Sequence, residues 1–204
     1  MIVREPHLET VKVHSLLPTQ ITVGFREVHE KRKHWRAQRH KLKFLSHHLV
    51  PVIQGPKDRY YIIDHHHLVR ALHDEGVTEV AITVVADLRT LDKDTFWSYL
   101  DHHAWMHPYD EKGRRRHASS LPRSVAELVD DPFRSLAGQL RLMGGFAKDT
   151  VPFSEFLWAD FLRRRIKKAL VVERFNKALD EALVLAKSEV ASYLPGWCGP
   201  VARS

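Results

Sequence analysis

The densest concentration of reactive side chains lies in residues 60–72, Tyr-Tyr-Ile-Ile-Asp-His-His-His-Leu-Val-Arg-Ala-Leu. The apolar, aromatic run reads as a strand, and the spacing that follows puts Asp64 and three histidines at a helix N-terminus. Such a terminus presents unbonded N–H groups and the positive end of a dipole, which favour phosphate or another anion. Asp64 suits the cap, because its carboxylate can accept from the N–H groups of His66 or His67. Imidazoles there can donate to an anion, bind a metal ion or move protons near neutral pH. The plain alternative is a capped helix with solvated histidines.

A second group, His102, His103 and His107, stands at the end of a helix expected over residues 92–107. His103 and His107 have the i, i+4 spacing of a metal pair on one helix face, with no third ligand near them in sequence. Helix-end histidines, favoured by the dipole, are the other reading of the same pattern.

The elements that must position these residues follow from the hydrophobic pattern. Residues 1–20 read as a short strand around Val11–Val13 and a turn at Pro18, and Thr22 is a candidate N-cap for a helix reaching Gln38. A shorter helix is expected over Lys41–His48. Leu49–Gln54 and Arg59–Ile63 flank the turn Gly55-Pro56-Lys57-Asp58 and form a hairpin pattern. The helix Asp64–Glu75 follows, with Gly76 placed for a left-handed C-cap, and Val80–Ala86 is the next strand. The strand-helix-strand unit is expected to be right-handed. Within its helix His65, Leu68, Val69 and Leu72 would face inward, with His66, Arg70 and His73 on another face.

Beyond residue 92 the pattern turns helical. Phe96, Trp97 and Leu100 are inward candidates. Short helices are expected at Ser124–Leu128 and Pro132–Leu142, then a break at Gly144-Gly145 and a long helix capped by Ser154. Val172, Phe175, Leu179, Ala182, Leu183, Ala186 and Val190 continue an apolar stripe, which packs on the domain or against a second copy as a homodimer. The fold class is therefore α+β: a small mixed sheet with helices over residues 1–90 and a mainly helical extension over 91–204.

A chain of 204 residues, 44% hydrophobic, has room for a real core. Its formal charge of +7 makes an anionic partner plausible, whether nucleotide or nucleic acid. The basic runs 31–43, 114–116 and 163–168 fit either a solvated face or phosphate attraction, and the polar loop 109–123 could close over an anionic ligand. Fifteen histidines are unusual, whereas one cysteine, Cys198, excludes an internal disulfide and a thiolate metal site. The first twenty residues hold Arg4, Glu5 and Lys12 without an apolar core, so no signal peptide is expected. No apolar run approaches the ~20 residues that span a bilayer. A cytoplasmic protein is the expectation.

Asp64-His65-His66-His67-Leu68-Val69-Arg70-Ala71 resembles the nucleotide-binding motif of the ParB/sulfiredoxin superfamily. There a strand leads into Gly-Glu-Arg-Arg-x-Arg-Ala in ParB proteins or Gly-Cys-His-Arg in sulfiredoxins. Leu17-Pro18-Thr19-Gln20 with Gly24 and Val28, Asp131-Pro132-Phe133-Arg134-Ser135-Leu136, Gly144-Gly145 and Trp158-Ala159-Asp160-Phe161-Leu162-Arg163 resemble the ParB-like nuclease branch, so the resemblance spans about residues 8–165. His65 stands at the motif's glycine, and His66 at the ParB glutamate and the sulfiredoxin cysteine. His67 and Leu68 replace two arginines, and Arg70 is retained. Without that cysteine, sulfinic acid repair is excluded, and no helix-turn-helix signature follows by which a partition protein would read DNA. Ile63-Asp64-His65-His66 also matches a short string of the DHH phosphoesterases, echoed by Asp101-His102-His103, but residues 1–63 lack that family's further acidic ligands.

The superfamily resemblance implies a nucleotide- or phosphate-binding protein, with ATP or CTP and Mg²⁺ as ligands and phosphoryl transfer or nucleotide hydrolysis as the chemistry. His66 would then be general base or acid, and Asp64 a cap or a Mg²⁺ ligand. His65, His67, Arg70, Thr19 and Gln20 would surround the phosphates. Two other functions remain open. One is a metal-dependent nuclease or phosphodiesterase, with Asp64, His103 and His107 as metal candidates. The other is a non-catalytic nucleic-acid or protein-interaction module.

Overall fold

The structure, a computed structural model, describes residues 8–200. The chain forms two compact units, residues 8–23 with 27–129 and residues 24–26 with 130–200. The architecture is α+β, as the sequence pattern indicates.

In chain order the first unit contains β1 (Leu8–Lys12), a 3-10 turn (Val13–Ser15), β2 (Leu17–Pro18) and β3 (Thr22–Val23). Helices α1 (Phe25–Ala37) and α2 (Lys41–His47) follow, then β4 (Val50–Gly55), β5 (Arg59–Ile62), α3 (His66–Asp74), β6 (Glu79–Asp87) and α4 (Lys93–His102). Five strands make one mixed sheet in the order β1-β6-β4-β5-β2. Strand β4 lies at its centre, with Val50, Val52 and Ile53 fully buried. It pairs antiparallel with β5, Val52 opposite Ile62, and parallel with β6, Val50 opposite Ile82. Strand β2 adds to the outer edge of β5 in parallel, Leu17 opposite Tyr61.

Two expectations change here. Thr22 belongs to β3, so α1 begins at Phe25 rather than behind a threonine cap. The strands joined by α3 are also not neighbours, because β4 lies between β5 and β6. The handedness rule for parallel strands therefore applies to the longer crossover from β4 to β6.

The hairpin β4–β5 turns through Lys57 and Asp58, both left-handed at φ 62° and 58°. Gly55 precedes the turn, and a Cβ there would lie 2.7 Å from carbon atoms of both Phe96 and Tyr61. The missing side chain is what lets α4 approach the hairpin. Asp92 caps α4 by accepting from the N–H groups of Asp94 and Thr95, both at 3.0 Å. Phe96 and Leu100 of α4 then pack with Ile21, Ile53, Met106 and Leu121. The helix stops at His102, earlier than the expected residue 107, and Ala104 turns left-handed at φ 53°.

Helix α1 is tied to the end of α3 through ion pairs. Glu75 accepts from Arg32 Nε at 2.6 Å and from Arg36 Nε and Nη2 at 2.7 and 2.8 Å. Lys31 pairs with Glu27 at 3.3 Å and Lys33 with Glu30 at 2.6 Å. Much of the first basic cluster is thus spent within the fold. The loop around Arg114–Arg116 is pinned as well, Arg115 to Asp101 and Arg116 to Asp110.

After β7 (Val129–Asp130), the second unit is helical: α5 (Pro132–Leu142), α6 (Ser154–Arg163), α7 (Lys168–Glu173) and α8 (Phe175–Ala186). Asp131 and Pro132 start α5 in the favoured way, acid at the cap and proline at the first helical position. The Asp131 carboxylate accepts from Phe133 N–H at 3.0 Å and pairs with Arg163, which also holds Asp160. Burial pushes the Asp131 carboxyl above its ordinary pKa, and Arg163 opposes that shift. Gly24 belongs to this unit, where a Cβ would meet Ser135 at 2.7 Å. Trp158 is fully buried, stacks on Phe146 at 4.3 Å and donates from Nε1 to Pro195 O at 2.9 Å.

The long helix expected from Ser154 is instead three helices. A continuous helix would set Arg163 against Lys167 and Arg164 against Lys168, both like-charge i, i+4 pairs. The chain breaks there, with Lys167 extended. Of the apolar stripe, Leu179, Ala182 and Ala186 enter the unit's own core with Phe175 and Leu183 against it, while Val172 and Val190 lie outside.

Candidate functional site

The turn from β5 into α3 is built around one left-handed residue. His65 has φ 64° and precedes the first helical residue, His66. A left-handed backbone suits glycine best, which fits the glycine of the motif that residues 64–71 resemble, and histidine is among the side chains that tolerate it. The Asp64 carboxylate accepts from His65 N–H at 2.6 Å rather than from His66 or His67, and no side chain caps α3. The helix starts two residues later than the pattern suggested, which takes His65 off it. His66 stands three positions before the buried Val69, shares its face and points inward.

His66 is 2% exposed and sits against the fully buried Thr19. Its Nε2 accepts from Thr19 N–H at 3.2 Å, while Thr19 Oγ1 donates to Ile62 O at 2.7 Å. An amide N–H can only donate, so Nε2 is the unprotonated nitrogen and the ring is the neutral Nδ1–H tautomer. The Thr19 carbonyl in turn accepts from His107 N–H at 2.8 Å, and Gln20 bridges to His107. Thr19 and His66 thus meet, with Gln20 following Thr19 in the chain, in a clamp that sews residues 17–20 to the end of β5. The Nε2 acceptor of His66, which a general base would use, is already engaged.

The other candidates are dispersed. His67 Nε2 lies 3.5 Å from Glu27. Arg70 donates to Asp74 at 2.9 Å and to the carbonyls of Val125, Ala126 and Leu128 at 3.3, 2.9 and 2.8 Å. The retained arginine therefore holds the 124–128 turn. His103 follows the end of α4, donates from Nδ1 to Tyr99 O at 2.9 Å and stacks on the Tyr99 ring. His107 stacks on Tyr109. With the helix ended at His102, His103 and His107 do not share a helical face. Among the described residues no three His, Cys, Asp or Glu side chains gather as a metal site.

His65 opens in a different direction. It lines a cavity of about 240 Å³ with Lys31, His34, His48 and Phe44. Phe44 orders two of these rings: His48 stacks on it at 4.0 Å, and His34 lies tilted at 5.7 Å. His48 Nδ1 donates to Phe44 O at 2.8 Å, which leaves Nε2 on the outer side of the ring. Glu30 also lines the cavity and is held by Lys33 at 2.6 Å. The buried Nδ1 of His65 has no hydrogen-bond partner among the described residues. Lys31, His34 and His48 were not singled out as site residues in the sequence, although Lys31 and His34 share a helical face at i, i+3, and Phe44 and His48 are spaced i, i+4.

A mixed sheet, the strand-turn-helix at His65 and the Asp131–Arg163 helical unit define a ParB-like protein. The family model described as "Putative ParB-like nuclease" matches residues 9–164, and the chain belongs to that family. The crystal structure of protein Atu1540 from Agrobacterium tumefaciens is similar over 98% of this chain and 100% of that one, at 54% identity and a TM-score of 0.93. No curated protein matches. No helix among the described residues is long and apolar enough to cross a membrane.

Proposed function

We propose that this chain is a phosphate- or nucleotide-binding member of the ParB-like family, and that the phosphate sits in the cavity at the start of α3. The carrying observation is a helix start without a side-chain cap that opens on His65, Lys31, His34 and His48. First-turn N–H groups and the helix dipole attract an anion, and lysine and imidazolium add charge-assisted hydrogen bonds. Size narrows the occupant. Whole small-molecule sites run to about 300–1,000 Å³, so a cavity of about 240 Å³ suits a phosphate group, with ribose and base outside it. For ATP or CTP with Mg²⁺, the exposed Asp64 is the carboxylate at hand, and Mg²⁺ commonly takes one or two carboxylates together with phosphate oxygens.

The family description favours a second reading, nuclease action, for which we keep a metal-dependent mechanism as the proposal. Calorimetric titration with inorganic phosphate, ATP and CTP, with and without Mg²⁺, tests the first reading: binding at millimolar concentration or below is expected, and silence from all three overturns it. DNA incubated with Mg²⁺ or Mn²⁺ in parallel tests the second, which falls if the DNA stays intact.

A further inference from the structure

A larger cavity, about 540 Å³, lies elsewhere in the first unit, between the β4–β5 hairpin, the start of α4 and residues 118–123. Four cations line it: Lys57, Arg59, Lys93 and Arg123. None of their side chains makes an ion pair with another described residue. Nearby acids are already engaged. Asp58 accepts from Gln54 at 2.6 Å, Asp92 accepts from its own helix and from Thr95 Oγ1, and Glu127 accepts from Arg123 N–H at 2.9 Å. The wall between the cations is aromatic. Tyr61 and Phe96 lie 4.7 Å apart, and Trp97 meets both at 5.4 and 5.0 Å. Its residues are distinct from those of the His65 cavity, and the inference does not rest on phosphate binding there.

We propose that this cavity binds a nucleotide unit of single-stranded nucleic acid, the base against the Trp97–Tyr61 wall and the flanking phosphates on Lys57, Arg59, Lys93 and Arg123. Cations that track a backbone beside rings that accept a base are what single-strand binding requires, and the combination tolerates any base sequence. The four residues are brought together by particular features. The left-handed turn at 57–58 places Lys57 beside Arg59, Gly55 lets α4 close on Tyr61, and Asp92 fixes the helix start that carries Lys93. A mononucleotide offers the same base and phosphate, so the two sources are separated by experiment. A duplex keeps its bases stacked and could use only the cations.

The test is polarisation of a labelled ten-nucleotide oligo-dT against the full-length protein at several salt concentrations, with dTMP and a duplex as competitors. Three to four phosphate contacts predict a log–log salt slope of about −2 to −3, near −0.7 per contact. The combined K57Q/R59Q/K93Q variant should lose at least tenfold in affinity and flatten the slope, whereas Lys177→Gln, at an exposed position of α8, should leave both unchanged. Trp97→Phe should abolish most oligonucleotide-induced quenching of tryptophan emission while far-UV circular dichroism stays the same. Competition by dTMP far weaker than by unlabelled oligo-dT identifies the strand as the ligand, and equal competition overturns that assignment. Equal binding by duplex, or wild-type affinity in the triple variant, overturns the proposal.

Discussion

Replacing His66 by alanine separates a clamp from a catalytic base. In the structure its ring is buried and its Nε2 is the acceptor for the N–H of Thr19, itself fully buried. Truncation leaves that N–H without its acceptor, at a cost of about 1–3 kcal/mol. Removing a buried ring also opens a cavity, adding roughly 1–2 kcal/mol in a site that relaxes only partly. The expected loss is therefore about 2–5 kcal/mol, a large share of the roughly 5–15 kcal/mol typical of a folded domain. Urea unfolding followed by circular dichroism and tryptophan emission reads it directly. His66→Gln should recover part of the loss, because an amide oxygen can accept the same N–H. A change below about 0.5 kcal/mol, the scatter of ordinary surface substitutions, would refute the clamp. Loss of a turnover activity with stability intact would return His66 to the general-base role.

Three further outcomes follow from named contacts. Hydrogen bonds from Arg36 and Arg32 hold the Glu75 carboxyl down at about 2, below its ordinary 4.5. A depressed carboxyl adds stability above its unfolded pKa and loses it as pH falls toward the folded one, so urea midpoints should drop between pH 5 and about 2. Because Arg36 is well exposed, the contribution is discounted to about 1 kcal/mol, and Glu75→Gln should flatten that part of the pH profile. His65→Gly should raise stability by roughly 1 kcal/mol by relieving the left-handed side chain, while weakening phosphate binding in the cavity it lines. Arg70→Ala should cost about 2 kcal/mol through lost charged hydrogen bonds and speed amide exchange over residues 125–129, with phosphate affinity unchanged.

Much of the fold was legible because its signals are local. The hairpin around Gly55-Pro56, the C-terminal glycine after α3 and the span Pro132–Leu142 read directly from turn chemistry, capping and period. The two-residue strands β2 and β3 are too short to carry a period, and the breaks at Lys167 and Arg174 answer to charge repulsion and packing rather than to a proline or glycine. The site was half legible. The position of the Asp64–Arg70 segment at a strand-to-helix turn followed from the motif. The roles did not, because His66 shares the buried face of Val69, and the left-handed backbone at His65 turns that side chain toward a different set of neighbours. Glycine at that place in the motif was the available signal for it. Lys31, His34 and His48 come from two other helices, and only the tertiary arrangement brings them to α3.

The central claim is that phosphate binds at the start of α3 beside His65. Its most direct test is titration of isotope-labelled full-length protein with inorganic phosphate, reading amide and imidazole resonances in wild type and in the combined K31Q/H48Q variant. The account predicts saturable shifts confined to Lys31, His34, His48 and residues 65–68, and a weakening of tenfold or more in the variant. Shifts elsewhere only, or the same affinity in both proteins, would contradict it.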